Sequence, residues 1–174
     1  QAPFFDPNAD PAVNYGGIGA VIGHEMGHGF DDQGAKTDGN GEQRNWWTDA
    51  DKAAFKERTD ALVGQYDGFE VLPELNINGE FTLGENIGDL TGITMAYAAY
   101  KKSLNGKPAP VIDGFTGDQR FFLAYGQIWM RKFTEDELRN RIKSDPHSPG
   151  EFRANGIVRN FDPWYEAFNI GPDD

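Results

Sequence analysis

The chain has 174 residues, enough for one domain with a sizeable core, and its 38% hydrophobic and 13% aromatic content excludes a disordered chain. A net charge of −12 argues against a nucleic-acid partner, whose phosphates need a basic face. Cysteine is absent, so disulfides and thiolate metal sites are excluded and any metal must be held by His and carboxylates. Residues 1–14, with Pro3, Pro7 and Pro11 among Asp and Asn, read as an extended entry. A first helix is predicted over about 16–30. The polar, glycine-bearing stretch 31–45 reads as a turn-rich loop; Asp38, Asn40 and Glu42 do not have the glycine placement of a calcium-binding EF-hand. Thr48 followed by Asp51 forms a capping-box pair, and Phe55, Thr59, Leu62 and Tyr66 recur at helical spacing, which predicts a helix over 49–66. Asn78–Gly79, between short apolar positions in 75–82, predicts a small hairpin or tight turn.

A second long helix is expected from about Gly84 to Leu104, with Leu90, Ile93, Tyr97 and Tyr100 along one face and Lys107–Pro110 beyond its end. Residues 117–133 carry Phe121, Phe122, Tyr125, Ile128 and Trp129 and predict an aromatic helix of the core. Thr134 with Glu137 opens a helix to about Lys143. Residues 145–174 read as turns with a short helix near 162–168. There is no internal repeat, low-complexity tract or linker, and the fold class is mainly α with little β.

The sharpest signal lies in the first helix. His24, Glu25 and His28 form the pattern H-E-x-x-H. Residues i and i+4 share one helical face, so two imidazoles can aim at one zinc ion while Glu25 reaches a water on it. Ile18, Ala20, Val21 and Ile22 make this a buried helix rather than a solvated one. The many glycines from Gly16 to Gly29 suggest close packing or a close approach by ligand. A catalytic zinc takes three protein ligands and leaves a position for water. His147 is the one other histidine, and among many carboxylates Glu85, in Gly84–Leu90, is the best candidate because it opens a helix with Asp89 at i+4. Asp89 can accept from one zinc-bound histidine, and Asp31 or Asp32 from the other. The competing explanation is that Glu85 and Asp89 are ordinary helix-start acids. Read from its surroundings alone, His147 is a solvated loop histidine and Arg153 any surface cation.

HEMGHGFDDQG, then GENIGDLTG, then DPHSPGEFRANG resemble, in family order, the catalytic region of the neprilysin family of zinc endopeptidases. The likeness runs from about Pro3 to Phe168. It implies a thermolysin-like catalytic subdomain in which the H-E-x-x-H helix is joined by a second ligand-bearing helix. By that resemblance His24, His28 and Glu85 bind one zinc ion and Glu25 is the general base. Asp89 orients a ligand histidine, His147 stabilises the oxyanion and Arg153 hydrogen-bonds a substrate carbonyl. Asp31 supports a zinc ligand. The expected activity is hydrolysis of oligopeptides through a zinc-activated water.

Family members are much longer, with an upstream Asn-Ala-aromatic motif, a helical roof domain and a basic end closing with tryptophan, none of which is present here. Residues 1–174 are therefore expected to be the C-terminal part of a catalytic domain, needing a complementary chain or segment to complete the cleft. The lack of cysteine resembles bacterial members, which points to the periplasm, cell envelope or extracellular space. The first residues are not an export signal, and no apolar run reaches the roughly 20 residues of a membrane span. The alternatives are a zinc-binding peptide-recognition module, an inactive fragment needing its partner, and an aminopeptidase, for which no acidic anchor motif is found.

Overall fold

A computed structural model describes residues 1–171. Its helices are α1 (Pro11–Asn14), α2 (Ala20–Gly27), α3 (Asp49–Asp67), α4 (Gly79–Ser103), α5 (Gly117–Ile128), α6 (Glu135–Ser144), α7 (Gly150–Val158) and α8 (Asp162–Phe168). A π-helical turn, Tyr15–Gly19, joins α1 to α2, and a 3-10 turn, His28–Phe30, follows α2. The β content is one small antiparallel pair, β1 (Glu70–Leu72) with β2 (Leu75–Asn76).

The predicted order of elements holds, with five corrections. The extended entry gives way to helix at Pro11, because proline at the first helical position lacks only an N–H that would be unpaired anyway. The hairpin exists, but its turn is Pro73–Glu74. Glu74 takes φ 62°, and its N–H bonds to Glu70 Oε1 at 2.9 Å. Asn78 instead caps α4, its Oδ1 accepting from the Phe81 N–H at 2.9 Å, so α4 starts five residues early and Glu85 sits in its second turn. The aromatic helix stops at Ile128 rather than 133. There Trp129 is buried under Arg153 and its carbonyl is approached by the backbone of Gly150. Finally, α7 is a helix where turns were expected. Gly150, Asn155 and Gly156 are poor helix formers, and burial of Arg153, Ile157 and Val158 overrides that preference. The capping box of Thr48 and Asp51 is present; Thr134 caps α6 through the Glu137 N–H, without the reciprocal bond.

The core is largely aromatic. Tyr66, Tyr100, Tyr125, Phe121, Ile93 and Ile157 are fully buried. Tyr97 stacks on Phe122 with ring centroids 5.6 Å apart and meets Phe121 and Phe161 edge-on, which ties α4, α5 and the approach to α8 together.

The site is positioned by the crossing of α2 and α4. The buried face of α2 is Ala20, Gly23, His24 and Gly27, a stripe of small residues around one histidine. A Cβ on Gly92 would lie 2.4 Å from the Ala20 carbonyl oxygen and 2.9 Å from the His24 nitrogen, and a Cβ on Gly23 would lie 2.9 Å from the Gly92 oxygen. Backbone meets backbone here, and that closeness brings His24 to the side chains of α4. Gly92→Ala should push the helices apart and cost about 1–3 kcal/mol, a fall in Tm of about 2–10 °C. Gly64→Ala, in α3 with nothing within 4 Å of its Cβ position, should be neutral or stabilising by up to about 1 kcal/mol. Thermal denaturation of the two variants checks this; equal melting temperatures would show that the crossing tolerates a methyl group.

Candidate metal centre

His24 and His28 stand one turn apart with ring centroids 4.6 Å apart and planes at 88°. Across from them, α4 presents Glu85. Its Oε2 lies 3.2 Å from His24 Nε2, and its Oε1 lies 3.7 Å from His28 Nε2. One ligand atom from each of the three residues falls within 4.8 Å of the others. The far nitrogen of each imidazole is held by a carboxylate: His24 Nδ1 by Asp89 Oδ1 at 2.8 Å, and His28 Nδ1 by Asp31 Oδ2 at 2.8 Å. Neutral histidines donating from Nδ1 point both Nε2 lone pairs toward Glu85. Asp31, not Asp32, is the partner of His28, and its other oxygen accepts from the N–H groups of Gln33 and Gly34.

Two imidazole nitrogens and one carboxylate, each backed by a second carboxylate or charge, form a donor set suited to zinc. A further observation supports the fit. Glu85 Oε2 is buried and lacks a well-formed hydrogen bond, although His24 Nε2 and His147 Nε2 are 3.2 and 3.1 Å away. A buried carboxylate oxygen without a partner is costly, and a cation at the centre of the three residues would satisfy it.

Burial alone pulls the His24 pKa down, but the hydrogen bond to Asp89 and the adjacent Glu85 carboxylate push it up, to about 9. Burial pushes the Glu85 carboxyl up, yet His24 beside it, with the charges of His147 and His28, holds it below the usual carboxylate range.

Around this centre, Arg153 reaches from α7 and grips Asp89 with two bonds, Nε to Oδ2 and Nη2 to Oδ1, both 2.7 Å. Its guanidinium lies 4.0 Å above the Trp129 ring. Arg153 is thus a buried anchor, not a free surface cation. His147 is exposed, as a loop histidine would be, but its Nδ1 is 2.7 Å from Asp145 Oδ1. Glu25 is exposed and, with His24, His147 and Arg153, lines a cavity of about 180 Å³.

Sequence reasoning missed several supporting groups. Asp145 holds both the ring and the N–H of His147, and the signal was available as an Asp two residues before a His. Ser148 donates to Asn86 Oδ1 at 2.8 Å, and Asn86 donates to Thr82 Oγ1 at 3.0 Å, fastening the His147 loop to α4. Tyr125 donates to the Arg153 carbonyl at 2.9 Å. Trp129 was read only as core. The links from Ser148 to Asn86 and from Tyr125 to Arg153 join residues far apart in the chain and leave no spacing to detect.

A family model described as "Peptidase family M13" matches residues 1–174. Among curated relatives, Neprilysin-1 of Caenorhabditis elegans is 42% identical over 97% of this chain, and endothelin-converting enzyme 1 of Homo sapiens is 41% identical over 99% of it. The chain spans 23% of the length of each of these relatives. Among solved structures, the zinc metalloprotease ZMP1 of Mycobacterium tuberculosis, in complex with inhibitor, superposes with a TM-score of 0.96 at 56% identity, covering all of this chain and 27% of that one. PepO from Lactobacillus rhamnosis superposes at 0.87 with 37% identity, covering all of this chain and 26% of that one. With a match along its whole length, the chain belongs to peptidase family M13.

Proposed function

We propose that this chain carries the zinc site and catalytic residues of an endopeptidase that hydrolyses oligopeptides. The convergence of His24, His28 and Glu85 beside a cavity lined by Glu25 carries this reading. His24 and His28, through Nε2, and Glu85, through its carboxylate, hold one zinc ion. A zinc ion held there supplies Lewis acidity, polarising a carbonyl and making water easier to deprotonate.

Glu25 takes the proton of the attacking water and passes it to the leaving amine. Asp89 fixes His24 with its proton on Nδ1, and Asp31 does the same for His28. His147 stabilises the oxyanion that develops on the scissile carbonyl. Its Nδ1–H is directed at Asp145, so Nε2 carries a hydrogen to donate only in the imidazolium form. Arg153 spends Nε and one Nη2 hydrogen on Asp89, and its remaining N–H groups are left for a substrate carbonyl.

Residues 1–174 form part of a catalytic domain whose cleft is completed by a complementary segment. Ile22, Met26 and Phe30, one turn apart along the catalytic helix and its extension, are 55%, 59% and 59% exposed, which supports a covering segment on that face. Among the described residues no helix is long and apolar enough to cross a membrane. The likeness to bacterial members of the family supports work in the periplasm, the cell envelope or outside the cell.

Glu25→Gln in the full-length protein should lower kcat on an end-blocked, internally quenched peptide by about 10²–10⁴ and leave one zinc per chain. Zinc content and initial rates check both halves. A variant that keeps zinc and wild-type turnover would remove Glu25 from the mechanism, and a wild type that binds zinc without cutting would favour a recognition module.

The acid–base behaviour of His24 gives a second expectation. To ligate through Nε2 it must give up a proton held until about pH 9. Zinc affinity should therefore rise about tenfold per pH unit between 6 and 8 and level off near 9. In the zinc-free protein the raised pKa stabilises the fold fully below the unfolded value of 6.5, and that contribution is lost as pH rises through about 9. Chelator-competition titrations and melting curves across this range read the two trends. Flat affinity would mean that the proton is not where the geometry puts it.

A further inference from the structure

Two cavities meet at Trp129 and Arg131. One is the space of about 180 Å³ over His24 and Glu25; the other, about 330 Å³, lies between α6 and the start of α7. Both are lined by Trp129, Arg131, His147 and Arg153, so the two adjoin along these four residues. The second cavity has an apolar wall from Phe133, Leu138 and Ile142 and room for a long side chain.

Its charges do not balance. Three guanidinium groups line it against one carboxylate, Asp145. Arg153 is committed to Asp89. Arg141 is committed to Asp145 at 2.7 Å and lies 4.8 Å above the Phe133 ring. Arg131 is exposed and has no carboxylate partner among the described residues. An unmatched cation at this boundary runs against a chain whose net charge of −12 would repel acidic peptides.

We propose that the cavity beside α6 is a side-chain subsite of the peptide cleft and that Arg131 makes it prefer a carboxylate. This rests on the peptidase reading above and adds a specificity to it. The carboxylate can come from a Glu or Asp side chain or from the free end of a peptide. A pair with this exposed arginine is worth about two- to fivefold in selectivity at low salt. The attraction acts through space, so it should weaken as salt shortens the screening length.

The test uses the full-length, zinc-loaded protein. In a set of end-blocked, internally quenched peptides, Glu replaces Gln at one position at a time on either side of the scissile bond. One position should show a Glu-to-Gln ratio of kcat/KM of about two to five, and 0.5 M salt should reduce it. Arg131→Ala should bring that ratio close to one, and Arg131→Glu should take it below one. If instead the blocked Glu peptides show no preference and a Gln peptide with a free carboxyl end does, the terminal carboxylate is the source. The same peptides are measured for binding to Glu25→Gln protein by fluorescence anisotropy, where the preference should persist without turnover. Wild-type protein that binds with this preference but never cuts would sink the peptidase reading and keep the subsite. Ratios near one throughout, or a preference that survives both Arg131 variants, would overturn the subsite.

Discussion

The carboxylate of Asp89 fastens three helices at one point. It is 2% exposed, on α4, and its two oxygens take His24 Nδ1 from α2 and the fork of Arg153 from α7. Burying one carboxylate alone would be prohibitive; burying it between a guanidinium and an imidazole makes it a joint. The geometry that repays the desolvation is specific: two parallel bonds to Arg153, with the guanidinium flat against Trp129. Removing Asp89 would therefore leave a buried arginine unpaired as well as free the His24 ring to turn. Zinc ligation and helix packing share this residue, so a loss of zinc alone would not distinguish a role in orienting His24 from one in holding the fold.

The joint works because the helices come close. Gly88 lies under the His24 ring, where a Cβ would sit 2.8 Å from Cε1 and Nδ1, and Gly23 and Gly92 let the two backbones touch. A larger side chain at Gly88 would strike the His24 ring itself, whereas one at Gly23 or Gly92 would part the backbones and lengthen the 3.2 Å between His24 Nε2 and Glu85 Oε2. The glycines are poor helix formers, and their helical conformation comes from the burial around them.

Much of this was legible in the sequence because it follows from local spacing. His24 and His28 share a face by the helical period, and Glu85 and Asp89 share another for the same reason. Thr48 and Asp51 announce a helix start through bonds made within four residues. What could not be read depends on contacts between distant residues. The helix α7 looks like turns until Ile157 and Arg153 are buried against α4 and α5. The end of α5 at Ile128 is set by Gly150, twenty-two residues on, pressing against Trp129. Asn78–Gly79 satisfies both a hairpin turn and a helix cap; the local sequence favours neither, and the capping bond to Phe81 decides it. In the site, the convergence of His24, His28 and Glu85, the three candidate ligands, with Asp89 behind them follows from spacing together with the chemistry of zinc. The fastening of the His147 loop to α4 through Ser148 and Asn86 crosses from one motif to another and needed the fold.

Charge balance connects these observations to the acid–base chemistry. At the centre, the Asp89 and Glu85 carboxylates face Arg153 and whatever positive charge sits between the imidazoles. Burial favours the neutral His24 ring, but the Asp89 and Glu85 carboxylates beside it push its pKa up to about 9. Glu85 remains ionised for the same reason, its carboxyl held low by the histidines around it. A divalent cation held there would compete with the His24 proton for the field of these two carboxylates, beside an arginine already bonded to Asp89. The tight glycine crossing and the Asp89 bonds together set the distance between the His24 ring and Glu85.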